Sequence, residues 1–451
     1  MRSLPRTAPE TREAFYRAAR AFSVEVLAEG PVAELAREAL RSCGKIQKRK
    51  CLLQPLFVLW FLLARPLFPG DSLTTLFSRL ARALRGRIQD LDDRMVTDGA
   101  LCHARDWLGT EPLEELLRAL ADVPGPRFHR RRVLALDGVR LDIPDTPANS
   151  LAFGRRRSQR GASPWPQSLS LVLLDVATRI PLAARVTSCH SSEKVVGRDL
   201  LCFVGPQDIL LLDAGFYGVP FFLAVHVRGA GFLCPVPRHV LFDRHGRPRV
   251  RGPFTDYTAT LRSRVVLPDG RTKTLWMDVR VIEERRPGFR TRRYVTNLPT
   301  SIPAEEVVQL YRERWEVEMA FDEIKTVLCH PTPGGTPTEL RSKSPEGVRQ
   351  EVFALLCTYS LIRRTMATAA QAERKDPRDL SFTAALACIA QTATTMLAAP
   401  ASALVGLYER MLGDIAACTL RRPGTPRRCR REVKRKSNKY PIKQPRRGVA
   451  A

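Results

Sequence analysis

Four side chains able to act together on a phosphate ester stand close in this chain: the phenol of Tyr311, the guanidinium of Arg314, the carboxylate of Glu318 and the amine of Lys325. The stretch joining them, Tyr-Arg-Glu-Arg-Trp-Glu-Val-Glu-Met-Ala-Phe-Asp-Glu-Ile-Lys, contains neither Gly nor Pro, which predicts one helix. At about 100° per residue the four fall within an arc of roughly 60°. A carboxylate flanked by phosphate-seeking groups is what a metal-dependent enzyme acting on nucleic acid needs. A solvated helix face with i,i+4 and i,i+7 charges would show the same spacing. Spacing also leaves the choice of carboxylate open, because Asp322 lies on nearly the same face as Glu318.

Two upstream segments each end an apolar run in an acid. They are Leu134-Ala-Leu-Asp137-Gly-Val-Arg-Leu-Asp-Ile-Pro-Asp-Thr-Pro-Ala-Asn149 and Ile209-Leu-Leu-Leu-Asp213-Ala-Gly-Phe-Tyr-Gly218. In the first, Asp142 and Asp145 compete with Asp137. Asp137 is preferred because it follows the apolar strand Val133 to Leu136 and precedes Gly138, which allows close backbone approach. Asp145, in Pro144-Asp-Thr146, reads as a turn residue.

Tyr, two residues, Arg, three residues, Glu, six residues, Lys resembles the signature of insertion-sequence-4 type DDE transposases. The resemblance implies that Glu318 is the third catalytic carboxylate and that Asp137 and Asp213, on the strands of these two segments, are the first and second. Arg341-Ser-Lys-Ser-Pro-Glu-Gly-Val-Arg-Gln-Glu351 extends the likeness. The implied fold class is α/β: a ribonuclease-H-like core with a β-rich insertion, flanked by helical N-terminal and C-terminal regions. In such a core the first and fourth strands lie side by side, bringing Asp137 and Asp213 together.

Phosphodiester cleavage needs a nucleophilic oxygen at neutral pH and stabilisation of charge on both attacking and leaving oxygens, which two divalent ions about 4 Å apart supply. All-oxygen ligation selects Mg²⁺ or Mn²⁺ over Zn²⁺. Asp137 is expected to bridge both ions, with Asp213 and Glu318 completing one site each. Arg314 and Lys325 are expected on DNA phosphates near the cut, where their charge also keeps Glu318 ionised, with Tyr311 packing or hydrogen-bonding beside them. The resemblance implies cut-and-paste movement of an element with inverted-repeat ends, a hairpin at the element end as one route, and a homodimer acting in trans. It implies no covalent protein–DNA intermediate, so Tyr311 is not a nucleophile. Two rivals remain: a nuclease on the same core without strand transfer, and an inactive basic DNA-binding protein.

The composition points to a polyanionic partner, nucleic acid, which the resemblance implies is double-stranded DNA. Lys plus Arg number 73 against 46 Asp plus Glu, a formal charge of +27. The eleven Cys are scattered without a Cys-x-x-Cys pair, which argues against a zinc site or a disulfide framework and suits a reducing cytoplasm. The most apolar run, Leu52 to Leu63, is shorter than the roughly 20 residues needed to span a bilayer.

Along the chain, residues 1–125 read as a helical domain, with Ala, Leu, Arg and Glu at helical spacing; the resemblance implies that it binds element ends. After Val123-Pro-Gly-Pro126 the order strand, strand, strand, helix, strand over residues 126–218, resumed at 301–330, matches the expected core. Residues 219–300 read as a β-rich insertion in which Trp276 or Tyr294 could stack on a displaced base. Apolar helices fill 331–420. The tail from Arg421 to Ala451 carries 13 Lys or Arg and one Glu, a disordered arm suited to holding phosphates without reading sequence.

Overall fold

A computed structural model of the chain describes residues 31–46, 53–68, 71–83, 96–158, 161–266, 269–328, 340–398 and 401–420. The basic tail at 421–451 lies outside the described residues.

Nine of the strands assemble into a single sheet. Its first five members are β1 (Arg132–Asp142), β4 (Gln167–Asp175), β5 (Pro181–Ser188), β6 (Asp208–Leu211) and β7 (Gly231–Pro235); β2 (Arg157–Ser158) and β3 (Gly161–Ala162) form a small separate ribbon. These five run in the order β5-β4-β1-β6-β7. β1, β4 and β5 are antiparallel neighbours, whereas β1, β6 and β7 are parallel. An antiparallel meander followed by two parallel crossovers is the ribonuclease-H-like topology. β4 is buried along nearly its whole length, because this sheet is covered on both faces.

The sheet does not stop at β7. Strands β8 (Asp243–Arg251), β9 (Phe254–Val266), β10 (Thr272–Glu284) and β11 (Arg292–Thr296) continue it through antiparallel pairing of β11 with β7. The segment expected to be an insertion therefore supplies one core strand, β7, and an antiparallel extension of the same sheet. At its far edge β8 is exposed throughout and rich in Arg, the kind of charged edge that resists strand addition.

Helices occupy the flanks. Upstream lie α1 (Pro31–Ser42), α2 (Pro55–Ala64), α3 (Leu73–Ala83), α4 (Asp98–Leu108) and α5 (Glu111–Leu120). The apolar run contributes residues 55–63 to α2, buried on every side except at Leu56. Among the described residues no helix is long and apolar enough to cross a membrane. Within the core come α6 (Pro147–Phe153), α7 (Glu193–Leu200) and α8 (Val219–His226). Then follow α9 (Ala304–Arg312) and α10 (Trp315–Glu323), and finally α11 (Pro345–Ala372), α12 (Phe382–Ala398) and α13 (Ala401–Ala417). The long α11 packs on α2, α5 and α13, so upstream and downstream helices share one core.

One expectation about local structure needs correction. Residues 311–325 do not form one uninterrupted helix. α9 ends at Arg312, and Glu313, Arg314, Glu316 and Val317 each donate their N–H three residues back, to Leu310, Tyr311, Glu313 and Arg314. That tighter turn, at about three residues per turn, shifts the helical phase. A second shift follows α10, where Ile324–Leu328 adopt a π-helical turn.

Candidate active site

The register of β1 against β6 sets the first two acids side by side. Ala135 pairs with Leu211 in parallel strands, so two residues further along, beyond the last paired rung, come Asp137 and Asp213. At the entry to the same pair Arg132 grips the Asp208 carboxylate at 2.8 Å, and Arg131 donates to the carbonyls of Pro206, Asp208 and Gly229. The basic residues here thus lock the pairing that aligns the acids.

Both acids sit where Gly is needed. Gly138 donates its N–H to Asp137 Oδ1 at 2.8 Å, and a Cβ on it would press within 3.2 Å of the Glu193 carboxyl and 3.1 Å of Leu169. A Cβ on Gly215 would lie 2.8 Å from Asp213 Oδ1. Asp213 Oδ1 is buried with no hydrogen-bond partner. An orphaned carboxylate oxygen of this kind is costly unless a cation or donor meets it. Burial pushes the Asp137 carboxyl above the usual carboxylate range; the Gly138 N–H and Arg314 pull it down, while Asp213 and Glu193 push it further up.

Glu318 arrives from α10, and one guanidinium ties it to the sheet. Arg314, at the N-cap of α10, donates through Nη1 to Asp137 Oδ2 at 3.1 Å and through Nη2 to Glu318 Oε1 at 2.5 Å. Of the two acids that spacing left open, Glu318 is the one joined through Arg314 to Asp137, and Asp322 is exposed. Asp142 accepts from Gln167 at 2.7 Å and Asp145 pairs with Arg155 at 2.5 Å, so both are engaged elsewhere.

The remaining expected residues are spread more widely. Tyr311 packs its ring against Tyr294, with centroids 5.0 Å apart, and burial raises its phenol far above the usual range; Arg314 and Asp213 are among the charged groups near it. The two tyrosines line a cavity of about 680 Å³ shared with Arg238, Arg290, Arg292 and Arg293. Lys325 is exposed on the π-helical turn beyond α10. Of the two stacking candidates, Tyr294 is only 2% exposed, whereas Trp276 stands 66% exposed on β10.

A second charge cluster, unforeseen from sequence, fixes α10 from behind. Glu316 and Glu323 are seven residues apart and share a face roughly opposite Glu318. Arg179, from the turn between β4 and β5, reaches Glu316 at 2.5 Å and Glu323 at 2.7 Å. Arg363 of α11, whose side chain is fully buried, also pairs with Glu323, and Tyr359 donates its hydroxyl to the same carboxylate at 2.7 Å. The only sequence signal for this was the i,i+7 pairing of acids, indistinguishable from a solvated face.

The donor set suits a hard divalent cation: three carboxylates, one with a buried oxygen lacking a partner. Among the described residues, however, no three His, Cys, Asp or Glu side chains are drawn together into a cation cage. The acids are neighbours with a guanidinium between the first and third.

A ribonuclease-H-like sheet carrying two acids on adjacent parallel strands and a third on a following helix defines a class of phosphodiester-processing enzymes. Residues 128–361, more than half of the chain, match the transposase DDE domain, and residues 21–118 match the N-terminal domain of insertion element 4 transposases. The chain belongs to the DDE transposase family: it is a transposase, an enzyme acting on DNA and dependent on divalent metal. It is 26% identical over 430 residues to the Escherichia coli (strain K12) transposase InsG for insertion sequence element IS4, covering 90% of this chain and 91% of that one. A cryo-EM structure of the piggyBac transposase synaptic complex with hairpin DNA is similar with a TM-score of 0.42 and 11% identity, over 91% of this chain and 86% of that one.

Proposed function

We propose that Asp137, Asp213 and Glu318 hold two divalent ions, Mg²⁺ or Mn²⁺, and cleave DNA at the inverted-repeat ends of an insertion sequence. The 3′-hydroxyls released there act as nucleophiles, the last joining the element to target DNA in a cut-and-paste reaction. When bound, the ions supply an activated attacking oxygen and neutralise charge on the leaving one. Asp137, beside Asp213 on the neighbouring strand and linked to Glu318 through Arg314, would contribute to holding both ions, with Asp213 and Glu318 each contributing to one. Arg314 and Lys325 take backbone phosphates beside the cut, and Tyr311 supports Arg314 without forming a covalent bond to DNA.

One observation carries this reading: the parallel register sets Asp137 beside Asp213 while a single guanidinium connects Asp137 to Glu318. The upstream helices would bind the element ends, and the tail at 421–451 would add non-specific phosphate contacts. A homodimer acting in trans would hold both ends. The test is cleavage of a plasmid bearing the element and its flanking DNA, with Mg²⁺, by the wild type and by Asp137→Asn, Asp213→Asn and Glu318→Gln. Each variant is expected to fall to background. Wild-type cleavage by Glu318→Gln would remove that residue from the mechanism, and cuts without joined products would favour a nuclease.

A further inference from the structure

The contacts of Arg314 conflict with a simple phosphate-binding role. Its side chain is 15% exposed, and both of its terminal nitrogens donate to these acids, Nη1 to Asp137 at 3.1 Å and Nη2 to Glu318 at 2.5 Å. A small divalent ion demands close, near-octahedral oxygen ligation, and a guanidinium donating to one oxygen of each carboxylate takes up acceptor sites there and opposes a second positive charge. The guanidinium and the metal therefore contend for one pair of acids.

We propose that Arg314 is an internal counter-cation. It keeps Asp137 and Glu318 paired before metal is bound, gives up both carboxylates when metal takes them, and is then free to grip a DNA phosphate. The inference rests on the metal-site reading above and goes beyond it by making metal and Arg314 competitors. It also accounts for the acids being adjacent yet not gathered into a cage among the described residues. A further consequence is linkage: a phosphate gives the displaced guanidinium a new bidentate partner, so DNA tightens metal binding and metal tightens DNA binding by the same factor. Premature metal loading, and with it cleavage away from bound DNA, is thereby disfavoured.

The experiment is Mn²⁺ binding to the full-length protein, followed by electron paramagnetic resonance, with and without a short duplex lacking the element ends. Arg314→Gln removes two charge-assisted hydrogen bonds that metal must otherwise break, so without DNA it should bind Mn²⁺ at least about tenfold tighter than wild type. The duplex should tighten Mn²⁺ binding to the wild type and leave that of Arg314→Gln unchanged. Arg314→Lys keeps the charge but loses the planar fork, so it should fall between the two, and it carries the test should the Gln variant fail to fold. Equal or weaker Mn²⁺ binding by the Arg314 variants overturns the proposal, as does a duplex effect that survives in Arg314→Gln. Glu318→Gln distinguishes the underlying reading: if it binds Mn²⁺ as tightly as wild type, the metal site itself is wrong, whatever Arg314 does.

Discussion

Three glutamates on α10 should respond to the same chemical change in three different ways. Glu323 is the carboxylate that meets the fully buried Arg363 and, through its other contacts, Arg179 and the Tyr359 hydroxyl. Glu323→Gln leaves Arg363 charged inside the protein without its carboxylate, and breaking a buried pair by removing one partner costs about 3–5 kcal/mol. Glu316→Gln is milder, because Arg179 keeps Glu323; losing charge from one hydrogen-bonded partner costs roughly 1–3 kcal/mol. Glu318 is 37% exposed and Arg314 keeps Asp137, so Glu318→Gln should change stability by less than about 1 kcal/mol. Urea unfolding followed by tryptophan fluorescence would rank them Glu323, Glu316, Glu318. DNA cleavage should separate them along another axis, with Glu318→Gln inactive and Glu316→Gln active wherever it remains folded. Equal destabilisation by all three, or the largest loss at Glu318, would refute the division of α10 into a structural face and a chemical face.

Other consequences can be checked independently. Gly215→Ala places a methyl 2.8 Å from Asp213 Oδ1, displacing the carboxylate by several tenths of an ångström; cleavage should fall by about 10- to 100-fold with little change in thermal stability, and unchanged cleavage would contradict the placement. The Asp175 carboxyl is raised above its usual range chiefly by burial, so the folded state holds a proton that the unfolded chain releases. Its contribution to stability is therefore lost as pH rises from the ordinary Asp range to the raised value; Asp175→Asn, able to accept the same N–H bonds from Ala177 and Thr178, should gain on wild type across that window, and a pH-independent difference would exclude this. Deleting 421–451 removes a net charge of +12 and should weaken binding to every duplex while flattening its salt dependence; an unchanged slope would dispose of the arm.

Much of the site could be read from sequence because its acids stand beside recognisable apolar runs. Asp137 and Asp213 each follow a run of aliphatic residues and precede a Gly within two positions, so the strands that carry them were visible, although β1 continues past Asp137 to Asp142. Their adjacency was legible only through the family resemblance and not from spacing, since parallel pairing depends on partners 76 residues apart, such as Arg132 with Asp208. The helix break at Glu313–Arg314 left no composition signal: neither Gly nor Pro marks it, and tertiary contacts of Arg314 and Glu316 reward the tightened turn. Arg314 and Lys325 looked equivalent on a helical wheel, but only one of them faces the sheet acids. The i,i+7 acids Glu316 and Glu323 resembled solvated charge until Arg179 and Arg363, both distant in sequence, closed over them.

The most direct measurement is Mn²⁺ anomalous diffraction from crystals of the protein bound to its element-end DNA. Two peaks are expected, both within ligand distance of Asp137 and each shared with either Asp213 or Glu318. Manganese bound away from these carboxylates, or the three acids too far apart to share ions in the DNA complex, would contradict the account.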